Sequence, residues 1–493
     1  MLLVPPYNFL LTTPRALCFV LFCFVFVFVS QAKLSIGFLP CGWDGEVYPS
    51  EYCYNVPTIM CSIASSASSL LKCSGYDQMS HTGVWRMMTM RTGATTSGIT
   101  SVMVVLLHQG PAADDKLAEK SFGEDVKRLR AEWEGKIWQV DDTERLQQVL
   151  QHSEAKDFTC PAGTKYRIDS CHLQRFDGLS NPPTGHPTQL LFGEANILYD
   201  LCGCTFEVSH GSFFQVNSSC AEVLYGVVID EVKASRIGSS PLVMFDVCCG
   251  TGSIGISCAK AGACDKVVGC DISEPAIRDA NENAKRNEVA DRCLFEAGRA
   301  ENVLGAQVKA ELSTATAGAS GAGADKAQPL KEGDSSVQCD ATPTFVAVVD
   351  PARSGLHLDV VRTLRATRCI EKVIYVSCNP DKGLPIDAGP LCGPTSKKYL
   401  GVPFQVTKAQ PVDMFPLTDH CEMVMVFERG EMLKRTMELK AAAKTAGSSS
   451  EANAESSPVK RKAPANSNED EKDGKLQKTA LASDDEGRGT GDA

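Results

Sequence analysis

Between Phe213 and Glu428, short apolar runs alternate with polar-striped stretches at a regular spacing. The runs at 242–247, 266–270, 345–349 and 372–377 have strand length, whereas the stretches at 253–262, 274–286 and 356–366 read as helices. Strands alternating with helices predict an α/β fold built on a Rossmann-like, doubly wound parallel sheet over residues 211–430. Upstream, Trp85 to Arg91 and Val102 to Leu107 read as strands, and Gln189 to Phe214 alternates in the same manner. Asp114 to Gln151 is charged and helical, so a smaller α+β domain is predicted over 34–210. Two segments break the rhythm. Residues 305–343 are rich in Ala, Gly, Ser and Thr, and the tail 431–493 is similar; both are expected to be disordered.

The N-terminus is of another kind. Ala16 to Val29 is an unbroken apolar run, preceded by Arg15 and followed by Ser30-Gln31-Ala32. It falls short of the roughly 20 residues of a membrane span and is closer to a signal-peptide core with a small-residue cleavage site. Residues 1–33 are therefore either a signal or anchor segment or an atypical N-terminus. The tail cluster Lys460-Arg461-Lys462 reads as a nuclear signal or as a solvated charge group. A nuclear or cytosolic protein is expected, with membrane or secretory targeting by residues 1–33 left open.

Charge and cysteine usage narrow the class. A net charge of −11 excludes a protein that coats nucleic acid with its whole surface, so an RNA partner would need a local basic groove. Lys127, Arg128 and Arg130 share one segment, which reads first as a solvated helix face. The 22 cysteines include no CxxC pair, so no metal site is expected. Cys248, Cys249, Cys258, Cys264, Cys270 and Cys293 instead read as small apolar core thiols. A monomer is expected.

The first chemical signal is the run from Leu242 through Asp246 to Gly250, Gly252, Ser253 and Gly255. An apolar strand ends in Asp246, passes through a Gly-rich turn and opens a helix, and glycine lets the backbone approach a ligand. The next strand ends at Asp271, about 20 residues on, where a carboxylate can bond both hydroxyls of a ribose. The turn lacks the Gly-x-Gly-x-x-Gly form of dinucleotide sites and the Lys-Ser/Thr of triphosphate loops. A phosphate-free adenosine cofactor suits it, and S-adenosylmethionine is expected.

Two further motifs fall at strand ends: Asp350-Pro351-Ala352-Arg353-Ser354-Gly355 and Ser377-Cys378-Asn379-Pro380. Residues just past the carboxyl ends of strands line the ligand crevice of an open α/β sheet, so Asp246, Asp271, Asp350 and Cys378 should converge. Methylating uracil at carbon 5 needs a thiolate that adds to carbon 6 and a base that later removes the carbon 5 proton. Cys378 is the candidate nucleophile. Glu422, at the start of the apolar run 423–427, is the candidate base.

These motifs resemble the S-adenosylmethionine-dependent RNA uracil-5-methyltransferases, most closely the animal tRNA (uracil-5-)-methyltransferase homolog A group. The matching stretches are Phe213-Phe214-Gln215-Val216-Asn217, Asp246 to Gly252, Asp350 to His357, Ser377 to Pro380 and His420 to Met423. The likeness covers roughly residues 40 to 429 in the family's order. It implies that Cys378 is the nucleophile and Glu422 the proton acceptor. It also implies that Gln215, Asp246, Gly250, Gly252, Asp271 and Asp350 contact the cofactor. The implied substrate is tRNA, at T-loop uridine 54, flipped out of its stack.

There are departures. Asp271 stands where relatives commonly have Glu, and Asp381 to Pro385 is unlike the family's helix-forming continuation. By this likeness the chain starts inside the family's central domain, without its N-terminal RNA-binding region, and residues 1–33 match nothing in it. Rival readings are methylation of a nitrogen, for which position 350 lacks the Asn/Asp-Pro-Pro-aromatic turn, and cytosine-5 methylation, which shares the thiol chemistry. A ribosomal RNA uracil-5-methyltransferase and a non-catalytic RNA-binding or tRNA-folding protein are the others.

Overall fold

The structure, a computed structural model, describes residues 36–452 except 39–47, 50–55, 77–79, 112–114, 141–162, 179–181, 184–185, 216, 321–342 and 416–419. The apolar run 16–29 and the basic cluster 460–462 lie outside the described residues. Among the described residues, no helix is long and apolar enough to cross a membrane. The chain divides into two compact units, 1–437 and 438–493, and the expected boundary near 210 falls inside the first.

The N-terminal part carries β1 (Gly37–Phe38), β2 (Tyr48–Pro49) and helix α1 (Thr58–Leu70). There follow β3 (Trp85–Thr96), β4 (Ile99–His108), helix α2 (Lys116–Trp133), β5 (Ile137–Val140), β6 (Thr164–Arg175) and β7 (Gln189–Gly193). β3 to β7 form one sheet in the order β3-β4-β6-β5, with β7 also on β6. Helix α2 is fastened to this sheet by Asp125. Its buried carboxylate accepts the backbone N–H groups of Lys72 and Cys73 and the Trp85 indole N–H at 2.8, 2.9 and 3.0 Å. Arg128 pairs with the same carboxylate and Arg130 with Glu134, so these two cations of the basic segment are held by acidic neighbours.

A hairpin, β8 (Asn196–Leu201) with β9 (Cys204–Ser209), leads to α3 (Ser218–Lys233). The large sheet then contains β10 (Leu242–Val247), β11 (Lys266–Asp271), β12 (Cys293–Ala297), β13 (Thr344–Val349), β14 (Ile370–Ser377), β15 (Gln405–Val412) and β16 (Glu422–Glu428). Their order is β12-β11-β10-β13-β14-β16-β15. β10 to β14 are parallel, and β16 runs antiparallel to both β14 and β15. Every residue of β10 is buried, as expected for a central parallel strand covered on both faces. The helices are α4 (Ser253–Lys260), α5 (Glu274–Arg286), α6 (Ala300–Ser320), α7 (Leu358–Ala366), α8 (Gly383–Cys392) and α9 (Gly430–Ala452).

Helix α5 shows how the chain writes its own boundaries. Ser273 caps the first turn, Pro275 follows the start, and Lys285 and Arg286 sit in the last turn against the helix dipole. Its buried Asn283 and Asn287 face the hairpin, where they accept the N–H groups of Glu207 and Thr205 at 2.8 Å each. Two side chains thus behave like a neighbouring strand and seat β9 against the large domain.

Three expectations need correction. The segment 305–343 is helical at its start, because α6 runs to Ser320 with Leu304 and Val308 buried; alanine favours the helix and those two residues anchor it. The tail from 431 likewise begins as α9, in which Met432 is buried, so disorder does not start at 431. The stretch after Pro380 does continue into a helix, α8. Pro385 stands in its first turn, where the missing N–H is no loss. Arg365 donates to the carbonyls of Pro390, Leu391 and Gly393 at its end.

Candidate active site

The strand order reverses between β10 and β13, since β11 and β12 lie on one side and β14 on the other. Ligand crevices of open α/β sheets form outside the carboxyl ends of strands at such a reversal. Asp246 and the turn 248–252 stand there on β10, and Asp350 follows β13.

The turn is strained in the manner that a close approach requires. Cys248, Gly250 and Gly252 have φ values of +63, +53 and +75°, and only glycine adopts such angles freely. A Cβ on Gly252 would come within 2.8 Å of the Phe295 ring, whereas one on Gly250 would meet nothing within 4 Å. Gly252 therefore packs inward and Gly250 faces open space. Asp271 braces this turn: Oδ2 accepts the Gly250 N–H at 3.0 Å and Oδ1 the Ser273 N–H at 2.9 Å. Each oxygen retains a lone pair for a further donor.

Asp246 is fully buried. Its Oδ2 accepts the Gly255 N–H at 2.9 Å, while Oδ1 has no hydrogen-bond partner. Burial pushes its carboxyl up to about 7, with Asp350 and Asp271 adding to the rise and the Gly255 bond opposing it. The loop bearing Gln215 is fixed separately. Phe214 packs on Tyr199 and Phe206, and Arg91 donates to the Ser212 carbonyl at 2.7 Å. Asn217 caps α3 and donates to the Met414 carbonyl at 3.4 Å, so this loop lies against the segment that leads to Glu422. Gln215 itself is buried and Phe213 exposed.

Cys378 and Glu422 meet through strand register. Ser377 of β14 pairs with Met423 of β16, so the next residue at that end of each strand is Cys378 on one and Glu422 on the other. The Glu422 carboxyl is buried, and its Oε2 has no hydrogen-bond partner. Burial raises it to about 7 against the pull of Arg353. Burial and the Glu422 charge raise Asp350 to about 8. Cys378 is half-buried; burial, then Glu422 and Asp350, push its thiol up to about 11, and Arg353 acts in the other direction. A cysteine, two carboxyls and a guanidinium thus share one electrostatic neighbourhood.

Arg353 is the residue whose place the sequence motif contained without assigning it a task. Asn379, beside the cysteine, donates its side-chain amide to the Arg353 carbonyl at 3.0 Å and its backbone N–H to the Ser377 hydroxyl at 3.2 Å. Among the described residues, Glu301, His357 and Asp359 also cluster closely enough for a metal ion. Those carboxylates are already paired, Glu301 with Arg299 at 3.4 Å and Asp359 with Arg362 at 2.8 Å.

Comparison with known proteins agrees with the resemblance read from the motifs. A family model described as a methyltransferase domain matches residues 239–321. The human tRNA (uracil-5-)-methyltransferase homolog A is 30% identical over 362 residues, which are 73% of this chain and 46% of that protein. The mouse tRNA (uracil-5-)-methyltransferase homolog B is 36% identical over 283 residues, 57% of this chain and 50% of that protein. The chain thus spans about half the length of these curated relatives. Among solved structures, it is similar to the Pyrococcus abyssi tRNA (uracil-54, C5)-methyltransferase in complex with S-adenosyl-L-homocysteine. That likeness has a TM-score of 0.49 and 18% identity, over 82% of this chain and 74% of the other.

Proposed function

We propose that this chain is an S-adenosylmethionine-dependent methyltransferase that forms 5-methyluridine in tRNA, at T-loop uridine 54. The observation that carries the reading is the register of β14 and β16, which sets a thiol beside a buried carboxyl with an unpartnered oxygen. Packing alone does not favour such a pair, because each group raises the cost of ionising the other.

The residues at the β10 end fit the cofactor. Gly250 leaves open space, Asp271 retains acceptor capacity for a ribose, and Asp246 holds the turn; Gln215 and Asp350 complete the set that the family resemblance assigns. S-adenosylmethionine, when bound, supplies an electrophilic methyl group.

The chain's own groups do the rest. The Cys378 thiol loses its proton to solvent, and the thiolate adds to uracil carbon 6, forming a carbon–sulfur bond and making carbon 5 nucleophilic. Carbon 5 would take the methyl that bound S-adenosylmethionine supplies, the methyl–sulfur bond breaking to leave S-adenosylhomocysteine. The ionised Glu422 carboxylate then removes the carbon 5 proton, the carbon–sulfur bond breaks, and the thiolate departs as the ring double bond re-forms. Arg353 favours the anionic forms of both Cys378 and Glu422. The enzyme works in the nucleus or cytosol, on a substrate flipped out of its stack.

The test is methyl transfer from labelled S-adenosylmethionine to unmodified tRNA by wild type, Cys378→Ala and Glu422→Gln. Wild type should form 5-methyluridine, Cys378→Ala none, and Glu422→Gln should stall as a protein–RNA adduct. Product from Cys378→Ala returns nitrogen methylation. A wild type that binds tRNA without methylating it favours an RNA-binding protein, and methylation of ribosomal RNA alone moves the substrate.

A further inference from the structure

We propose that Asp387 is a positioning residue that clasps the loop from Asp350 to Leu356 against the strand that carries Cys378. The proposal rests on the methyltransferase reading and deepens it. Asp387 lies in α8 and is 2% exposed. One of its oxygens, Oδ2, accepts two hydrogen bonds: the Leu356 N–H at 2.7 Å and the Tyr375 hydroxyl at 2.6 Å. Leu356 closes the loop that begins at Asp350, and Tyr375 precedes Cys378 by three residues on β14. A single buried carboxyl oxygen therefore joins the loop holding Asp350 and Arg353 to the strand holding the thiol.

The surroundings leave little slack. Gly355 has a φ of +85°, and a Cβ there would lie 2.7 Å from Asp387 Oδ2 and 3.1 Å from the Gly383 carbonyl. A Cβ on Gly383 would lie 2.6 Å from the Arg353 carbonyl, which also accepts the Asn379 amide N–H at 3.0 Å. The start of α8 and the loop thus meet backbone to backbone, with Asn379 on one side and Asp387 on the other. The loop must keep its register because Arg353 tempers both Cys378 and Glu422. Displacing it removes that cation from the thiol and the base together.

The test compares Asp387→Ala, Asp387→Asn and Tyr375→Phe with wild type on unmodified tRNA, reading kcat, both KM values and the pH profile of kcat. A displacement of about 1 Å costs on the order of 100-fold in rate, so Asp387→Ala should lose about 10- to 100-fold in kcat. Its KM for tRNA should stay near wild type. The acid limb of the profile should move to higher pH as Arg353 leaves Glu422. Asp387→Asn keeps an acceptor oxygen and should recover most of the rate, and Tyr375→Phe should fall between. Asp387→Ala at wild-type kcat, a kcat loss with an unmoved limb, or Asp387→Asn as impaired as Asp387→Ala would each overturn the proposal. If Asp387→Ala fails to fold, Tyr375→Phe decides, and a wild-type rate and limb there overturn it. A wild type that makes no 5-methyluridine sinks the underlying reading and this proposal with it, whatever the variants do.

Discussion

Cys378 and Glu422 stand one position beyond the pair Ser377–Met423, at the same end of two antiparallel strands. They are 44 positions apart in the chain, and hydrogen bonding between β14 and β16 makes them neighbours. The charge of Glu422 is one reason that the Cys378 thiol is pushed up to about 11. The thiol should therefore be unreactive until substrate arrives. Alkylation of Cys378 by iodoacetamide near pH 7.5 should be slower than that of free cysteine, because the thiolate is the nucleophile. Glu422→Gln and Asp350→Asn should speed it by lowering the thiol, and Arg353→Gln should slow it. Site-resolved mass spectrometry reads all four rates, and a hyper-reactive wild-type thiol would refute this account.

Catalysis should depend on pH through Glu422, whose carboxyl burial raises to about 7. Only the ionised form takes a proton, so kcat for methyl transfer should rise with pH through about 7. Removing a general base costs roughly 100- to 10,000-fold, and Glu422→Gln should slow resolution of the adduct by that order. Rapid-quench assays from pH 5.5 to 9 would show it. A rate flat through that range would assign proton removal to another group.

Stability should run the opposite way. Asp246, Asp350 and Glu422 all have folded values raised above the carboxylate range, to about 7, 8 and 7. The folded state holds these protons more tightly than the unfolded chain, so their contribution is complete near pH 4 and lost as pH rises through 7 to 8. Melting temperature should fall from pH 5 to pH 8. A tenfold difference in proton affinity between the folded and unfolded chain corresponds to roughly 1.4 kcal/mol, and Glu422→Gln or Asp350→Asn should flatten the decline. An identical slope in both variants would rule these groups out as its source.

Gly255→Ala should damage the turn without touching the cysteine. The added Cβ would sit 2.7 Å from Asp246 Oδ2 and 2.8 Å from Val267 Cγ1, in a core with no room to yield. Overpacking of this kind costs about 1–3 kcal/mol. Calorimetry should show that loss together with weaker S-adenosylmethionine binding. Wild-type melting and affinity would mean that α4 moves to accommodate the methyl.

By itself the sequence determined the alternation of β10 to β14 with their helices, because buried parallel strands are short apolar runs and helix ends carry local caps such as Ser273. It also determined the residue types at the strand ends: Asp246, Gly250, Gly252, Asp271, Asp350 and Cys378 were legible as positions where chemistry belongs. The low-complexity stretches at 305 and 431 misled, because alanine-rich composition suits disorder and helix alike until Leu304, Val308 and Met432 find apolar surface. Only the tertiary structure decided that β16 runs back along β14 and so delivers Glu422 to Cys378. The charge state of each group was likewise invisible in the chain, since a carboxyl's ionisation depends on the neighbours and solvent that folding gives it. The same holds for Asp387. A lone aspartate in a Pro- and Gly-rich stretch carries no pattern, and its two hydrogen bonds exist only once a helix, a loop and a strand have packed together.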